Sequence, residues 1–234
     1  MAKIIVSYDG TDNDRDALAL GAQLAEFGGE ASLAYVRHTQ QSDQAREALE
    51  EKEAEELLAA GAQSLGDEKT PQHVVVHAST GAGLWELAES EKAELIVFGS
   101  DYRTAKGAVM PGTSAERMLT GGPAAVAIAP AGYRNSDHAI KSVGVLVEDD
   151  GDRSAIETAK SLAAALGVDV VERHTEADLI VLGSSPASPK GHVNLSARAG
   201  YAIETSNAPV IAVARGSEIK FSKPGIVKRV AAKV

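Results

Sequence analysis

The chain has 234 residues, 44% of them hydrophobic and 24% charged, a balance that supports a buried core and excludes a wholly disordered polypeptide. Aromatics make up only 4%, so the core must be packed mainly from Ala, Val, Leu and Ile, and the absence of cysteine removes disulfides, thiol catalysis and Cys-based metal sites together. The net charge of −10 describes a surface that repels nucleic acid. No apolar run approaches the ~18 residues of a membrane span and no basic leader precedes Lys3, so we expect a soluble, cytoplasmic protein with neither a membrane nor a nucleic acid as partner.

Ile4-Ile5-Val6 is a short apolar run that ends in Ser7-Tyr8-Asp9-Gly10, the pattern of a buried parallel strand leaving the sheet into a loop. Asp12 and Asn13 then offer N-caps to a helix whose Ala17, Leu18, Gly21, Leu24 and Phe27 recur at helical spacing until Gly28-Gly29. Ala31 to Val36 predicts the next strand. Ser42 to Leu65 predicts a long helix, with Glu47, Glu50, Glu51, Lys52, Glu53, Glu55 and Glu56 as its solvated face. A strand at Val74 to Val76, a helix near Leu84 to Ser90, a strand at Leu95 to Phe98, a helix from Ser114 to Leu119 and a strand at Ala124 to Ile128 follow. Strands alternating with helices imply a parallel sheet covered on both faces, a three-layer α/β sandwich with its ligand sites at the carboxyl ends of the strands. The loops after Val6 and Phe98 are therefore the places to look for chemistry.

Two phrases recur. AELIVFGS (Ala93 to Ser100) returns as ADLIVLGS (Ala177 to Ser184), and VSYDG followed by Asp14-Arg15 returns as VEDDG followed by Asp152-Arg153. The offsets are 138 residues at the Asp-Arg pairs and 84 at the strands, so the second half lacks 54 residues between them. This pattern reads as a tandem repeat with an abridged second unit, keeping strands at Val143 to Val147, Val168 to Val171, Leu179 to Leu182 and Val210 to Val213, with helices over Ala155 to Leu166 and Ala197 to Thr205. The missing stretch corresponds to a helix, a strand and a second helix, and so small a unit should pack tightly on the first half. We place the units at residues 1–131 and 140–216, with the linker near Ala131 to Ala139. Residues 217–234 are left as a basic extension, solvated or loosely packed; from Gly216 onward the chain carries +4, against −14 for the remainder. The strands Ala124 to Ile128 and Val210 to Val213 could pair with each other, making a pseudo-dimer within one chain and hiding two sheet edges; a homodimer of chains is the further expectation.

Asp9 lies just past a buried strand, where a carboxylate can accept hydrogen bonds from a ribose or a base, or else serve as a turn residue or helix cap. After the Leu95 to Phe98 strand the chain reads Gly99-Ser100-Asp101-Tyr102-Arg103 and reaches Gly112-Thr113-Ser114 before a helix. Exposed backbone N–H groups, two hydroxyls and a helix N-terminus make that segment a candidate anion cradle; it is equally an ordinary helix start. The six histidines form no clear ligand cluster, although His73 and His77 share a face of one strand, and no G-x-S-x-G nucleophile elbow occurs. Trp85 reads as a core plug.

These landmarks together resemble the universal stress protein family: the strand ending in Asp-Gly, the Leu-Ile-Val-Gly-Ser strand, the spaced Gly and Gly-Thr before a short helix, and the closing Pro209-Val210-Ile211 strand. The resemblance covers Lys3 to about Pro130 and both ends of the second half. It implies a mostly parallel five-stranded sheet of the adenine-nucleotide alpha-hydrolase type, with ATP or AMP as ligand and Mg²⁺ accompanying ATP. Carried onto this sequence it implies that Asp9 contacts the adenosine moiety and the backbone near Val36 the adenine. The family's nucleotide motif is Gly, two residues, Gly, nine residues, then Gly with Ser or Thr. Gly99 and Gly112-Thr113 fit its ends, and Tyr102 replaces the middle glycine. In the second half Asp150, Gly183, Pro186 and Ser196-Ala197 take the equivalent positions, and we expect no nucleotide there. The Ser-Gly-Gly pyrophosphate loop of adenylating relatives is absent, which argues against a synthetase. No general base, nucleophile or metal cluster is visible, so turnover would be limited to slow ATP hydrolysis. Three functions stand open: a stress-response binding protein with one adenine-nucleotide site formed by Asp9, Val36, Gly99, Tyr102, Gly112, Thr113 and Ser114; a nucleotide-free signalling or structural module acting through protein contacts; and, with the least support, an enzyme acting on an adenylate or phosphorylated metabolite.

Overall fold

The computed structural model describes residues 1–65, 69–137, 139–171 and 173–222. Nine strands and six α-helices alternate along it. They are β1 (Ala2–Ser7), α1 (Asp12–Glu26), β2 (Gly29–Arg37), α2 (Gln44–Ser64), β3 (Gln72–Val76), α3 (Thr80–Glu91), β4 (Leu95–Gly99), α4 (Thr113–Leu119) and β5 (Ala125–Ala129), then β6 (Ser142–Leu146), α5 (Ser154–Leu166), β7 (Asp169–Val171), β8 (Leu179–Leu182), α6 (Ala197–Glu204) and β9 (Val210–Ala212). The strands form one sheet in the order β3-β2-β1-β4-β5-β9-β8-β6-β7. Every neighbouring pair is parallel except β5 and β9, which run antiparallel with Ala127 opposite Ile211. The expected five-stranded sheet is thus present as β3-β2-β1-β4-β5, and its closing strand joins the second half to it.

The two faces follow from strand parity, because successive side chains point to opposite sides of a sheet. Ile4, Val6, Leu95, Val97 and Ala127 pack under α1, α2 and α5, whereas Ile5, Ile96, Phe98, Val126 and Ile128 pack under α3, α4 and α6. Crossovers between parallel strands are right-handed, so the return from β3 to β4, on the other side of β1, sends α3 to the face opposite α1. That reversal opens a crevice between the ends of β1 and β4. No described helix is long and apolar enough to cross a membrane.

The β4–α4 loop is reproduced hydrogen bond by hydrogen bond in the second half, always 84 residues later. Ser100 Oγ donates to the Ala129 carbonyl at 2.7 Å, as Ser184 Oγ does to Val213. Met110 N donates to Ser100 Oγ, as Asn194 N does to Ser184 Oγ, both at 3.3 Å. Each loop also crosses to the other half: Val109 N bonds the Ser206 carbonyl at 3.2 Å and Val193 N bonds the Gly122 carbonyl at 2.9 Å. The second half therefore presents strand, helix, strand, strand, helix, strand without a counterpart of α2, β3 and α3.

Four expectations need correction. The N-cap of α1 is Thr11, not Asp12 or Asn13, and it makes no side-chain capping bond. Two members of the acidic face of α2, Glu47 and Glu50, are not merely solvated; they hold the buried guanidinium of Arg37 at 2.9 and 3.0 Å and fix the start of α2 to the end of β2. Trp85 is half-buried, not plugged into the core, with its ring tilted on His192 of the second half at 6.4 Å. The start of the basic extension is packed rather than loose: Ile219 and Phe221 are buried, their N–H groups bond Thr158 Oγ1 and Ser161 Oγ of α5, and Ser222 N reaches the Phe27 carbonyl. Burying two such side chains contributes roughly 1.5–3 kcal/mol each. The rest of that extension, residues 223–234, and His138 lie outside the described residues.

Candidate functional site

The loop that follows β1 shapes one wall of the crevice. Gly10 takes a left-handed conformation (φ +84°) that turns the chain under Leu57, and the turn closes with Thr11 N donating to Asp9 Oδ1 at 2.9 Å. Asp9 N in turn donates to Asp14 Oδ2 at 2.6 Å. Burial and the adjacent Asp9 charge raise the Asp14 carboxyl to about 8, and a hydrogen bond joins the two side chains. Burial also works to raise Asp9, but its bonds from Asp14 and Thr11 outweigh that and hold Asp9 below the usual carboxylate range. The two hydrogen-bonded carboxyl groups are thus pushed in opposite directions, Asp14 up and Asp9 down.

The opposite wall is the β4–α4 loop. Gly99 is required by packing: a Cβ there would stand 1.9 Å from the carbonyl oxygen of Asn13, so the first turn of α1 rests directly on the end of β4. Asp101 accepts from Arg103 N and Nε, both at 2.9 Å, and the Arg103 guanidinium lies 5.2 Å from the centre of the Tyr102 ring. Tyr102 is 79% exposed and its backbone is not left-handed, so this position does not need glycine for conformational reasons. Gly112 caps α4, and a Cβ there would meet the Asp101 Cα at 4.0 Å, an ordinary contact. At seven residues, α4 is a weak dipole for an anion.

Between these walls lies a cavity of about 510 Å³, within the usual range for small-molecule sites. Asp9, Val36, Gly99, Tyr102, Gly112, Thr113 and Ser114, the seven residues singled out in the sequence, all line it. So do Asn13, Asp14, His38 and Thr80, which sequence reasoning passed over. His38 bridges the His77 carbonyl through Nδ1 and Thr80 Oγ1 through Nε2, each at 3.3 Å, and so links the end of β2 to the start of α3. A hint of this was available, because His38 stands two residues after Val36, immediately past β2. Among the described residues no three metal-ligating side chains converge. Another cleft, about 470 Å³, opens beside the linker, between the carboxyl end of β5 at Pro130 and the amino ends of β6, β8 and β9.

The equivalent crest in the second half differs. Val6 pairs with Val97 and Val145 with Val181, so the sheet aligns β1 with β6 at an offset of 139 and puts Glu148, not Asp150, at the position of Asp9. The repeated Asp-Gly phrase had suggested the wrong register. The Glu148 side chain is 6% exposed, its Oε1 has no hydrogen-bond partner, and Arg198 Nη1 lies 4.0 Å away. Beside it Asp149 pairs with Arg215 at 3.3 Å.

Comparison with known proteins agrees with this architecture. A universal stress protein from Archaeoglobus fulgidus DSM 4304 superposes with a TM-score of 0.68 at 17% identity, over 92% of this chain and 98% of its own. A putative universal stress protein from Pseudomonas aeruginosa UCBPP-PA14 superposes with a TM-score of 0.59 at 12% identity, over 92% and 94% of the two chains. At those identities the likeness is one of fold. No curated protein matches the chain. The model of the universal stress protein family matches residues 1–130, more than half of the sequence and the whole of the region that builds the cavity, and the chain belongs to that family.

Proposed function

We propose that the chain is a stress-response binding protein of the cytoplasm whose N-terminal half holds the adenosine moiety of an adenine nucleotide. One observation carries this reading: the seven residues chosen from the sequence line a single cavity at the reversal of strand order, where open α/β sheets bind nucleotides. In it Asp9 accepts from the ribose hydroxyls, and the chain near Val36 and His38 flanks the base. The second half, which we read as an abridged duplicate, completes a pseudo-dimer through β5 and β9 and takes no nucleotide, because Glu148 and its neighbours occupy the corresponding crest.

Thermal unfolding of the purified chain with millimolar adenosine, AMP or ATP tests the reading. At least one compound raises the midpoint, and Asp9→Ala removes the rise. The absence of a rise with all three sinks it. The alternative, a nucleotide-free module acting through protein contacts, then stands, and the exposed Tyr102 ring in place of the motif glycine is the observation in its favour.

A further inference from the structure

The charges around the cavity narrow what it can hold. Its wall carries the carboxyl groups of Asp9, Asp14 and Asp101, and no Lys or Arg lines it among the described residues. The nearest guanidinium in sequence, Arg103, is committed to Asp101 at 2.9 Å, stacked over Tyr102 and 72% exposed, so it turns to solvent rather than into the cavity. What the wall does offer is acceptors. Asp9 keeps a charged carboxylate at the ribose position, with Asp14, the imidazole of His38 and the hydroxyls of Thr80, Thr113 and Ser114 around it. Such a set rewards a ligand that donates hydrogen bonds; its hydroxyls can also donate, but the cavity wall supplies no cation to a ligand that brings negative charge, Lys106 and Arg134 lining a separate cleft that shares Asn13, Asp101 and Tyr102. The field of a chain with net charge −10 adds long-range repulsion of anions.

We propose that this cavity selects an uncharged purine nucleoside over its phosphorylated forms. The proposal rests on the adenosine-site reading above and specifies its ligand class.

Titration calorimetry of the full chain with adenosine, AMP and ATP, with and without Mg²⁺, tests it at two ionic strengths. Adenosine binds at least about tenfold more tightly than ATP at low salt, with AMP between them. The gap narrows as salt is raised, since screening weakens the repulsion. Asp9→Asn keeps an acceptor but removes the charge, and the ATP-to-adenosine ratio falls severalfold. ATP binding as tightly as adenosine overturns this inference and leaves the nucleotide site standing. If Tyr102→Gly equalises the two ligands and Asp9→Asn does not, the selection is steric and the inference fails in the same way. No binding of any of the three removes the site itself, and this inference with it.

Discussion

Over the first half, the ends of β1 and β4 leave a cavity of about 510 Å³ walled by Asp9, Val36 and Thr113, whereas over the second half Glu148, 4.0 Å from Arg198, and Asp149, paired with Arg215 at 3.3 Å, follow the end of β6. The loop skeleton is the same in both, as the hydrogen bonds of Ser100 and Ser184 show. The same backbone frame therefore does not by itself make a site. The first half owes its cavity to side walls, the end of β2 with Val36 and His38 and the start of α3 with Thr80. The second half has only the three residues of β7 and a short 3-10 turn at His174–Glu176 between α5 and β8, so those walls have no counterpart.

The sharpest way to break this comparison is a methyl group at the paired glycines. In Gly99→Ala the new Cβ meets the Asn13 carbonyl oxygen at 1.9 Å, a backbone atom that cannot turn aside, and we expect a loss of about 3 kcal/mol. In Gly183→Ala the nearest atoms lie at 3.4 Å and beyond, and the change stays within about 1 kcal/mol of the parent. Urea unfolding midpoints measure both. Equal losses would mean that α1 does not press on β4 in the way the glycine contact requires.

The same pair shows what the sequence could and could not disclose. Alternation of apolar runs and helical spacing located all nine strands to within about two residues, because burial on both faces of a parallel sheet leaves a continuous apolar signature. The site residues on either side of Gly99 were legible because they sit at strand ends, which are marked by Gly, Ser and Asp. Glu148 was not legible: the echo of Asp-Gly pointed to Asp150, and only the pairing of Val145 with Val181 fixes the register. Asp16 was also passed over, although it is buried and accepts from Gly132 N and Arg134 N at 2.7 and 2.9 Å, tying α1 to the linker. Contacts across 116 residues of sequence leave no local periodicity. The packing of Ile219 and Phe221 on α5 escaped for a similar reason, since the positive charge around them dominated the reading of that segment.

A smaller effect separates the echoed Asp14 and Asp152 by sign. Asp14 is raised from 3.8 to about 8, so the folded state holds its proton more tightly than the unfolded chain does. Stability is therefore lost as pH climbs from about 4 toward 8, and the deficit persists above that range. Asp14→Asn removes the deficit, and we expect it to stabilise the fold by about 1–2 kcal/mol at pH 9, with the gain vanishing below pH 4. That is less than the full displacement implies, because solvent reaches the neighbouring Asp9. Asp152 shifts the other way. Burial works to raise it, but bonds from Ser154 and Gly216 and the charge of Arg215 hold it below its ordinary value. Its contribution is present at neutral pH and lost as pH falls below about 4, so Asp152→Asn destabilises by under about 1 kcal/mol at pH 7 and by nothing in acid. Thermal midpoints across pH 3 to 9 distinguish the two; a parallel response in both variants would refute the contrast.

The smallest effect tests whether the second crest is merely filled or actively held. Glu148 brings a carboxylate into a nearly dry position where Oε1 has no hydrogen bond, and Arg198, the one cation paired with it among the described residues, stands at the 4.0 Å limit of an ion pair with a side chain 67% exposed. Desolvating the carboxylate works against folding, and a long, solvated pair returns little. Glu148→Gln should therefore leave stability unchanged or improve it by about 0.5 kcal/mol, whereas Arg198→Ala, which strands the charge, lowers it by a similar amount. In the double variant the two effects do not add, because Arg198 matters only while Glu148 is charged. If Glu148→Gln instead costs more than about 1 kcal/mol, the pair is a working latch that keeps the crest shut, and the difference between the halves is one of locking as well as filling.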